Sequence, residues 1–338
     1  MRVMSNNTTL VTGAAGFIGA HVANALAGRG NHIIGIDNFD PYYDVKLKHD
    51  RVRWVESASE GRCDFRTVDF ADAVALENIL ANDEIDRIVH LGAQPGVRYS
   101  LENPCAYARA NIVGHLNLLE FARKRRVAHM VYASSSSVYG RNEKLPFSVD
   151  DRTDHPVSLY AATKRADELI SEAYAHLYRI PLTGLRFFTV YGPWGRPDMM
   201  PWIFTSRILA RKPIKVFNYG KLKRDFTYID DIVAGVISVH DAPPKDTGKE
   251  KPGGSKAPHS IYNIGNNKSE SLLDVIKILE KACGRRARVE MLEMQPGDVK
   301  RTFADISAIS RDLCYAPSTS VETGLPKFVE WYRSYKKL

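Results

Sequence analysis

Between residues 8 and about 190, short apolar runs alternate with segments whose apolar residues recur at helical spacing. The runs at 10–12, 33–37, 65–68, 88–91, 130–134 and 183–188 read as buried strands. Between them, Ile112, Leu116, Leu119, Phe121 and Ala122 form one helical stripe. Ala166, Leu169, Ile170, Ala173, Tyr174 and Leu177 form a second, spaced i, i+3, i+4, i+7, i+8 and i+11. Continuous apolar runs alternating with amphipathic helices predict an α/β fold on a doubly wound parallel sheet. After Arg186 the alternation loosens, and Pro, Gly and Trp become frequent. Residues 243–260, PPKDTGKEKPGGSKAPHS, carry no core-forming pattern and read as a solvent-exposed excursion, not a domain boundary. The pattern predicts a larger domain over 1–190 and a smaller part over 191–338 that closes over it.

The first strand runs into TGAAGFIG, with glycines at 13, 16 and 19. Glycines at a strand-to-helix turn let the backbone approach a ligand closely, and the N–H groups opening the helix favour a pyrophosphate. The spacing G-x-x-G-x-x-G is one residue off the commoner dinucleotide pattern. The next strand ends at Asp37, 18 residues after Gly19. An acidic side chain there accepts hydrogen bonds from an adenosine ribose and repels a 2′-phosphate, which points to NAD rather than NADP.

At 338 residues and 44% hydrophobic, the chain can bury a substantial core. Its formal charge of +8 suits a polyanion such as nucleic acid, and equally a doubly charged nucleotide substrate. No apolar run reaches the roughly 18 to 20 residues of a membrane span. The opening MRVMSNNTT lacks a signal-peptide core, so a cytoplasmic protein is expected. Cys63, Cys105, Cys283 and Cys314 lie far apart without a C-x-x-C pair, which predicts neither a metal site nor a disulfide framework.

Tyr-x-x-x-Lys places a phenol and an ammonium one turn apart on a helix face. It occurs four times, at Tyr42/Lys46, Tyr160/Lys164, Tyr219/Lys223 and Tyr332/Lys336. Only Tyr160 opens an amphipathic helix in the alternating region and follows a strand ending in hydroxyls, Ser134 to Ser137. Ligand chemistry in parallel sheets gathers at the carboxyl ends of strands. A free phenol, titrating near about 10, is a poor base at neutral pH. The Lys164 ammonium and the positive ring of NAD⁺ would stabilise the phenolate. Tyr160 could then take a proton from a sugar hydroxyl, with Ser135 hydrogen-bonding the same oxygen.

The stretches TGAAGFIG, GIDNFDPYYDVKLK, HLGAQPGVRYSLENP, YASSSSVYG, DHPVSLYAATKRADE, GLRFFTVYGPWGRPDM, KRDFTYIDDI and QPGDVKRTFADI resemble the extended short-chain dehydrogenases/reductases of the NAD-dependent epimerase/dehydratase family. Within them the chain is most similar to UDP-glucuronate 4-epimerases, over nearly its whole length. The resemblance implies a Rossmann-type NAD domain at about 1–190 and a mainly UDP-sugar-binding α/β part at 191–338, with segments able to interleave across that boundary. It implies that tightly held NAD⁺ is not consumed: C4 of the sugar is oxidised, the keto-sugar rotates, and hydride returns to its other face. The family's catalytic residues fall on Ser135, Tyr160 and Lys164. Its cofactor contacts fall on Gly13, Gly16, Phe17, Ile18, Asp37, Asn38, Asp69, Phe70, Leu91, Ala93, Tyr160, Lys164 and Phe188. A homodimer through helices around 105–122 and 160–178 is implied, with neither nucleic acid nor membrane as partner.

A uronic acid brings a carboxylate at C5. Related decarboxylases and dehydratases keep an acid in the S-x-x-V-Y-G stretch; here Ser135, Ser136 and Ser137 lead into Val138-Tyr139-Gly140 with none. Hydroxyls donate to a carboxylate without repelling it. Thr189 stands where UDP-galactose 4-epimerases carry asparagine. Arg196 is the matching basic residue, expected to pair with the carboxylate or to couple the two domains. Arg224 and Arg98 are candidates for the diphosphate. Asp298 follows a turn beside the nucleotide, and Val216 lies in a strand beside the uracil. Gly92 replaces the family's alanine and is expected to loosen the backbone there. The alternatives are a UDP-glucose/galactose 4-epimerase, a UDP-glucuronate decarboxylase, and, more distantly, a non-catalytic NAD-binding scaffold.

Overall fold

The computed structural model describes residues 7–295 and 299–338. Twelve strands are present among them: β1 Thr8–Thr12, β2 His32–Asp37, β3 Cys63–Thr67, β4 Arg87–His90, β5 His129–Ser135, β6 Leu182–Phe187, β7 Thr189–Tyr191, β8 Ile214–Val216, β9 Lys223–Tyr228, β10 His259–Ile264, β11 Ser269–Ser271 and β12 Val289–Met291. Seven form one parallel sheet, in the order β10-β6-β5-β4-β1-β2-β3. The order reverses beside β1, so its carboxyl end and that of β4 open a crevice where ligands bind in such sheets. Helices Phe17–Gly28, Val45–Ala58, Gly114–Arg125 and Leu159–Tyr178 cover its faces.

The six expected strands are β1 to β6. The seventh, β10, escaped the pattern. It follows the Pro/Gly/Lys stretch and opens with His259 and Ser260, yet all six of its residues are buried. The expected excursion therefore ends early, since Ser255 and Ala257 are already buried against the sheet edge. The chain also crosses position 190 and returns: β10 joins the main sheet, and helix Ile229–Asp241 packs beside Phe17–Gly28.

The rest of the chain after β6 builds a three-stranded sheet, β11-β9-β7, and the pair β12-β8. Helices Met200–Leu209, Leu272–Cys283 and Val321–Lys336 pack around them. Trp54 stacks on Trp194 at 5.6 Å, and Trp194 meets Trp331 and Tyr335 at 5.3 and 5.4 Å. This aromatic cluster ties helix Val45–Ala58 to the turn that precedes Arg196. No helix among the described residues is long and apolar enough to cross a membrane.

The two apolar stripes behave differently: the first sends Leu119, Phe121 and Ala122 into the core, while the second lies largely outside it. An apolar face ordinarily packs on the core. In Leu159–Tyr178 the buried side is polar: Thr163, Lys164, Asp167, Glu168 and Ser171. Leu169 and Leu177 point outward, 55% and 65% exposed. Leu116 faces outward as well, while Leu118 and Leu119 take the core.

Histidines sit neutral behind the sheet. Burial pushes His129 and His115 down to about 3 and His21 to about 4, below the ordinary value near 6.5. An unfolded histidine binds a proton below about 6.5 that these folded ones refuse. Stability is therefore expected to fall steadily from pH about 6.5 to about 4. Urea unfolding across that range checks it; a flat curve would mean these rings charge in the folded state.

Candidate active site

β1 reaches the crevice at Thr12 and turns through Gly13, whose φ of +65° is left-handed. A Cβ on Gly13 would stand 2.7 Å from Gly92 Cα, and one on Gly92 would stand 2.5 Å from Phe70. Gly92 thus serves close packing between two turns, correcting the expectation of a looser backbone. A Cβ on Gly19 would lie 2.1 Å from the Gly13 carbonyl, so the helix starts hard against the turn. Gly16 caps helix Phe17–Gly28 without a side-chain hydrogen bond.

A cavity of about 580 Å³ lies along this crevice. Gly13, Gly16, Phe17 and Ile18 form its floor, with Asp37 and Asn38 after β2 and Asp69 and Phe70 after β3. Leu91 and Ala93 follow β4, and Phe188 and Thr189 lie beyond β6. Ser135, Ser136 and Ser137 line it from the end of β5, and Tyr160, Lys164 and Arg196 complete it. Strands that share one direction place all these ends on one edge.

Three expected residues stand elsewhere. Val216 is fully buried in the apolar core, because β8 turns Ile214 and Val216 inward and Lys215 outward. Arg98 lies over the Phe217 ring at 5.1 Å, outside the cavity lining. Arg224, also outside it, donates to the carbonyls of Lys223 and Lys300 at 2.9 and 3.4 Å. Asp298 falls outside the described residues.

Helix Leu159–Tyr178 is capped by Ser158, whose side chain accepts from the Ala161 N–H. Its first turn brings half-buried Tyr160 to the cavity, with Tyr107 edge-on at 6.1 Å. One turn on, Lys164 is buried and donates to Asp167 Oδ2 at 3.0 Å. Burial pushes the Asp167 carboxyl up to about 6, and the Lys164 ammonium opposes that rise. Ser134 is spent on structure: its hydroxyl donates to Glu168 at 2.6 Å. Ser135 lines the cavity, and its oxygen accepts from the Ser137 N–H.

Several site residues were not among the expected contacts. Lys48 lines the cavity and donates to Asp37 Oδ1 at 3.1 Å. Arg51, fully buried, donates to the carbonyls of Ala15, Trp194 and Gly195 and to the Tyr43 hydroxyl. It straps the glycine turn to the turn that carries Arg196. Arg196 itself is paired with Asp198, Nε to Oδ1 at 3.0 Å, and Tyr42 donates to the same carboxylate. Arg109 pairs with Asp69 at 2.8 Å. The signal that could have found Lys48 is its place at the end of the stretch GIDNFDPYYDVKLK; Arg51 lies one turn further along the same helix.

These residues fit a dinucleotide. The glycine turn packs the start of helix Phe17–Gly28, whose N–H groups favour a pyrophosphate, against the cavity, and a carboxylate stands at the end of β2.

Comparisons with known proteins agree. Residues 9–265 match the NAD dependent epimerase/dehydratase family. UDP-glucuronate 4-epimerase 4 of Arabidopsis thaliana is 47% identical over 99% of this chain and 78% of that one. A probable UDP-glucuronate 4-epimerase of Rhizobium meliloti is 44% identical over 97% and 98%. The structure of UDP-glucuronic acid 4-epimerase from Bacillus cereus, in complex with UDP-glucuronic acid and NAD, superposes with a TM-score of 0.85. It is 34% identical, over 97% of this chain and 99% of that one. With its glycine turn, acid-ended second strand and Tyr160/Lys164 pair in one crevice, the chain belongs to the NAD dependent epimerase/dehydratase family.

Proposed function

We propose that the protein is an NAD-dependent isomerase that interconverts UDP-glucuronate and UDP-galacturonate at C4. The observation that carries this reading is the wall of hydroxyls, Ser135, Ser136, Ser137 and Thr189, sharing one cavity with Tyr160, Lys164 and Arg196. Gly13, Gly16, Phe17, Ile18, Asp37, Asn38, Asp69, Phe70, Leu91, Ala93 and Phe188 would hold NAD. When bound, NAD supplies a reversible two-electron acceptor at C4. Tyr160 takes the C4 hydroxyl proton and later returns it, and Ser135 donates to the same oxygen. Lys164 stabilises the phenolate, and Asp167 holds its ammonium in place. Ser136, Ser137 and Thr189 donate to the uronate carboxylate, and the serine run supplies no acid to act on C5. Arg196 shares its charge between Asp198 and that carboxylate. Arg224 and Arg98 would reach the diphosphate only by leaving the Lys223 and Lys300 carbonyls and the Phe217 ring, respectively.

The test is to incubate the purified protein with UDP-glucuronate, without added reductant, and follow the sugar by proton NMR. Growth of UDP-galacturonate without net NADH is expected. Release of CO₂, or turnover of UDP-glucose alone, would overturn the assignment in favour of a decarboxylase or a neutral-sugar epimerase.

We also infer a homodimer in the cytoplasm. The outward stripe of Leu159–Tyr178, with exposed Leu116 and Val113 beside it, is an apolar face that a second copy would cover. Light scattering is expected to give twice the chain mass, and Leu169→Glu to halve it. A monomeric natural protein would sink the inference.

A further inference from the structure

We infer that Asp37 plugs an anion cradle built by its own chain, and that Lys48 makes this cradle the selector between NAD and NADP. The inference rests on the NAD reading above.

Asp37 Oδ1 accepts from the Phe39 N–H at 2.8 Å and from Lys48 Nζ at 3.1 Å. Its Oδ2 accepts from the Ala15 N–H at 3.2 Å. Those donors come from three places: the loop after β2, helix Val45–Ala58 and the glycine turn. Both side chains of the pair are nearly closed to solvent, at 9% and 7% exposure. Two converging backbone N–H groups and a buried ammonium form the donor set that binds an oxyanion. Here the oxyanion is the protein's own carboxylate.

The pair changes the reason for preferring NAD. An isolated Asp37 would reject a 2′-phosphate by charge. With Lys48 at 3.1 Å the pair is close to neutral, and that repulsion is largely cancelled. What excludes the phosphate is occupancy, since its natural donors are already taken. Three of the four lone-pair sites on the carboxylate are filled, which leaves one on Oδ2 for a ribose hydroxyl. A shorter, uncharged side chain at 37 would free the Ala15 N–H and the Lys48 ammonium together.

The test uses four holoproteins: the natural chain, Asp37→Ser, Lys48→Met, and the double variant. Each is exchanged against NAD⁺ with excess NADP⁺, washed, and denatured, and the released dinucleotides are separated by chromatography. Asp37→Ser is expected to raise the NADP⁺ share about a hundredfold, as two or more charge-assisted bonds change ligand. Adding Lys48→Met should remove about tenfold of that gain. Lys48→Met alone restores the bare charge of Asp37 and should lower the NADP⁺ share about tenfold, a result that stands even if Asp37→Ser does not fold. A folded Asp37→Ser protein that still refuses NADP⁺, or a ratio indifferent to Lys48, overturns the inference. A natural chain that holds no dinucleotide overturns the NAD reading instead.

Discussion

A Tyr160→Phe protein is expected to bind UDP-glucuronate as well as the natural chain and to turn it over about 10²- to 10⁴-fold more slowly, the usual scale of a lost acid–base group. Phenylalanine keeps the ring, so the edge contact with Tyr107 at 6.1 Å survives. Lys164 stays in place, because its ammonium is held by Asp167 at 3.0 Å and not by the phenol. Only the hydroxyl that carries the proton is removed. Equilibrium dialysis for nucleotide binding and NMR for turnover separate the two effects. Near-normal turnover would show that another group takes the proton; a matching loss of binding would show that the phenol serves mainly to hold substrate.

The largest expected effect on stability is at Arg186. Glu168 and Arg186 form a buried pair, with side chains 0% and 2% exposed. Arg186 Nε donates to Oε1 at 2.8 Å and a terminal nitrogen donates to Oε2 at 3.0 Å. The guanidinium also lies over the Tyr139 ring at 4.9 Å. Arg186→Met leaves a buried carboxylate with Ser134 and the partly exposed Arg165, and should cost about 3–5 kcal/mol. The pH dependence has a definite sign. In the natural protein burial raises the Glu168 carboxyl, but Arg186 and Ser134 outweigh it and hold it below its ordinary value. Its contribution is therefore present above the unfolded value near about 4.3 and is lost as pH falls through the folded one. In the variant burial dominates and raises that value. The loss should be greatest near neutrality and shrink in acid. Urea unfolding at both ends of that range checks it, and a pH-independent difference would mean that Glu168 finds another cation.

How much was legible beforehand depended on range along the chain. The strands β1 to β6 were readable because each holds a short apolar run set off by turns and helical stretches; β3, half-buried and polar at Asp64 and Arg66, is the weakest of them. The glycine turn, Asp37 and Tyr160/Lys164 were readable because each motif lies within a few residues and its chemistry needs those side chains. Helix Leu159–Tyr178 misleads a reader of periodicity. Its apolar stripe is plain, but which side packs on the sheet depends on partners far away: Glu168 is satisfied by Arg186, 18 positions on, and Lys164, paired with Asp167 on its own helix, lines a cavity that other strands complete. Burying that polar side is tolerable only when such partners exist.

By itself, then, the sequence determined the parallel sheet, the dinucleotide turn and the placing of Tyr160 and Lys164 one helical turn apart, since all three rest on local pattern and backbone geometry. The tertiary structure alone decided that β10 closes the sheet, that Arg51 straps two turns together, and that Lys48 neutralises Asp37. Lys48 and Asp37 are 11 residues apart on different elements, and Arg51 reaches carbonyls 36 and more than 140 positions away. No local rule links such residues; they meet only because the sheet order sets β1 beside β2 and folds the later turn back over their ends.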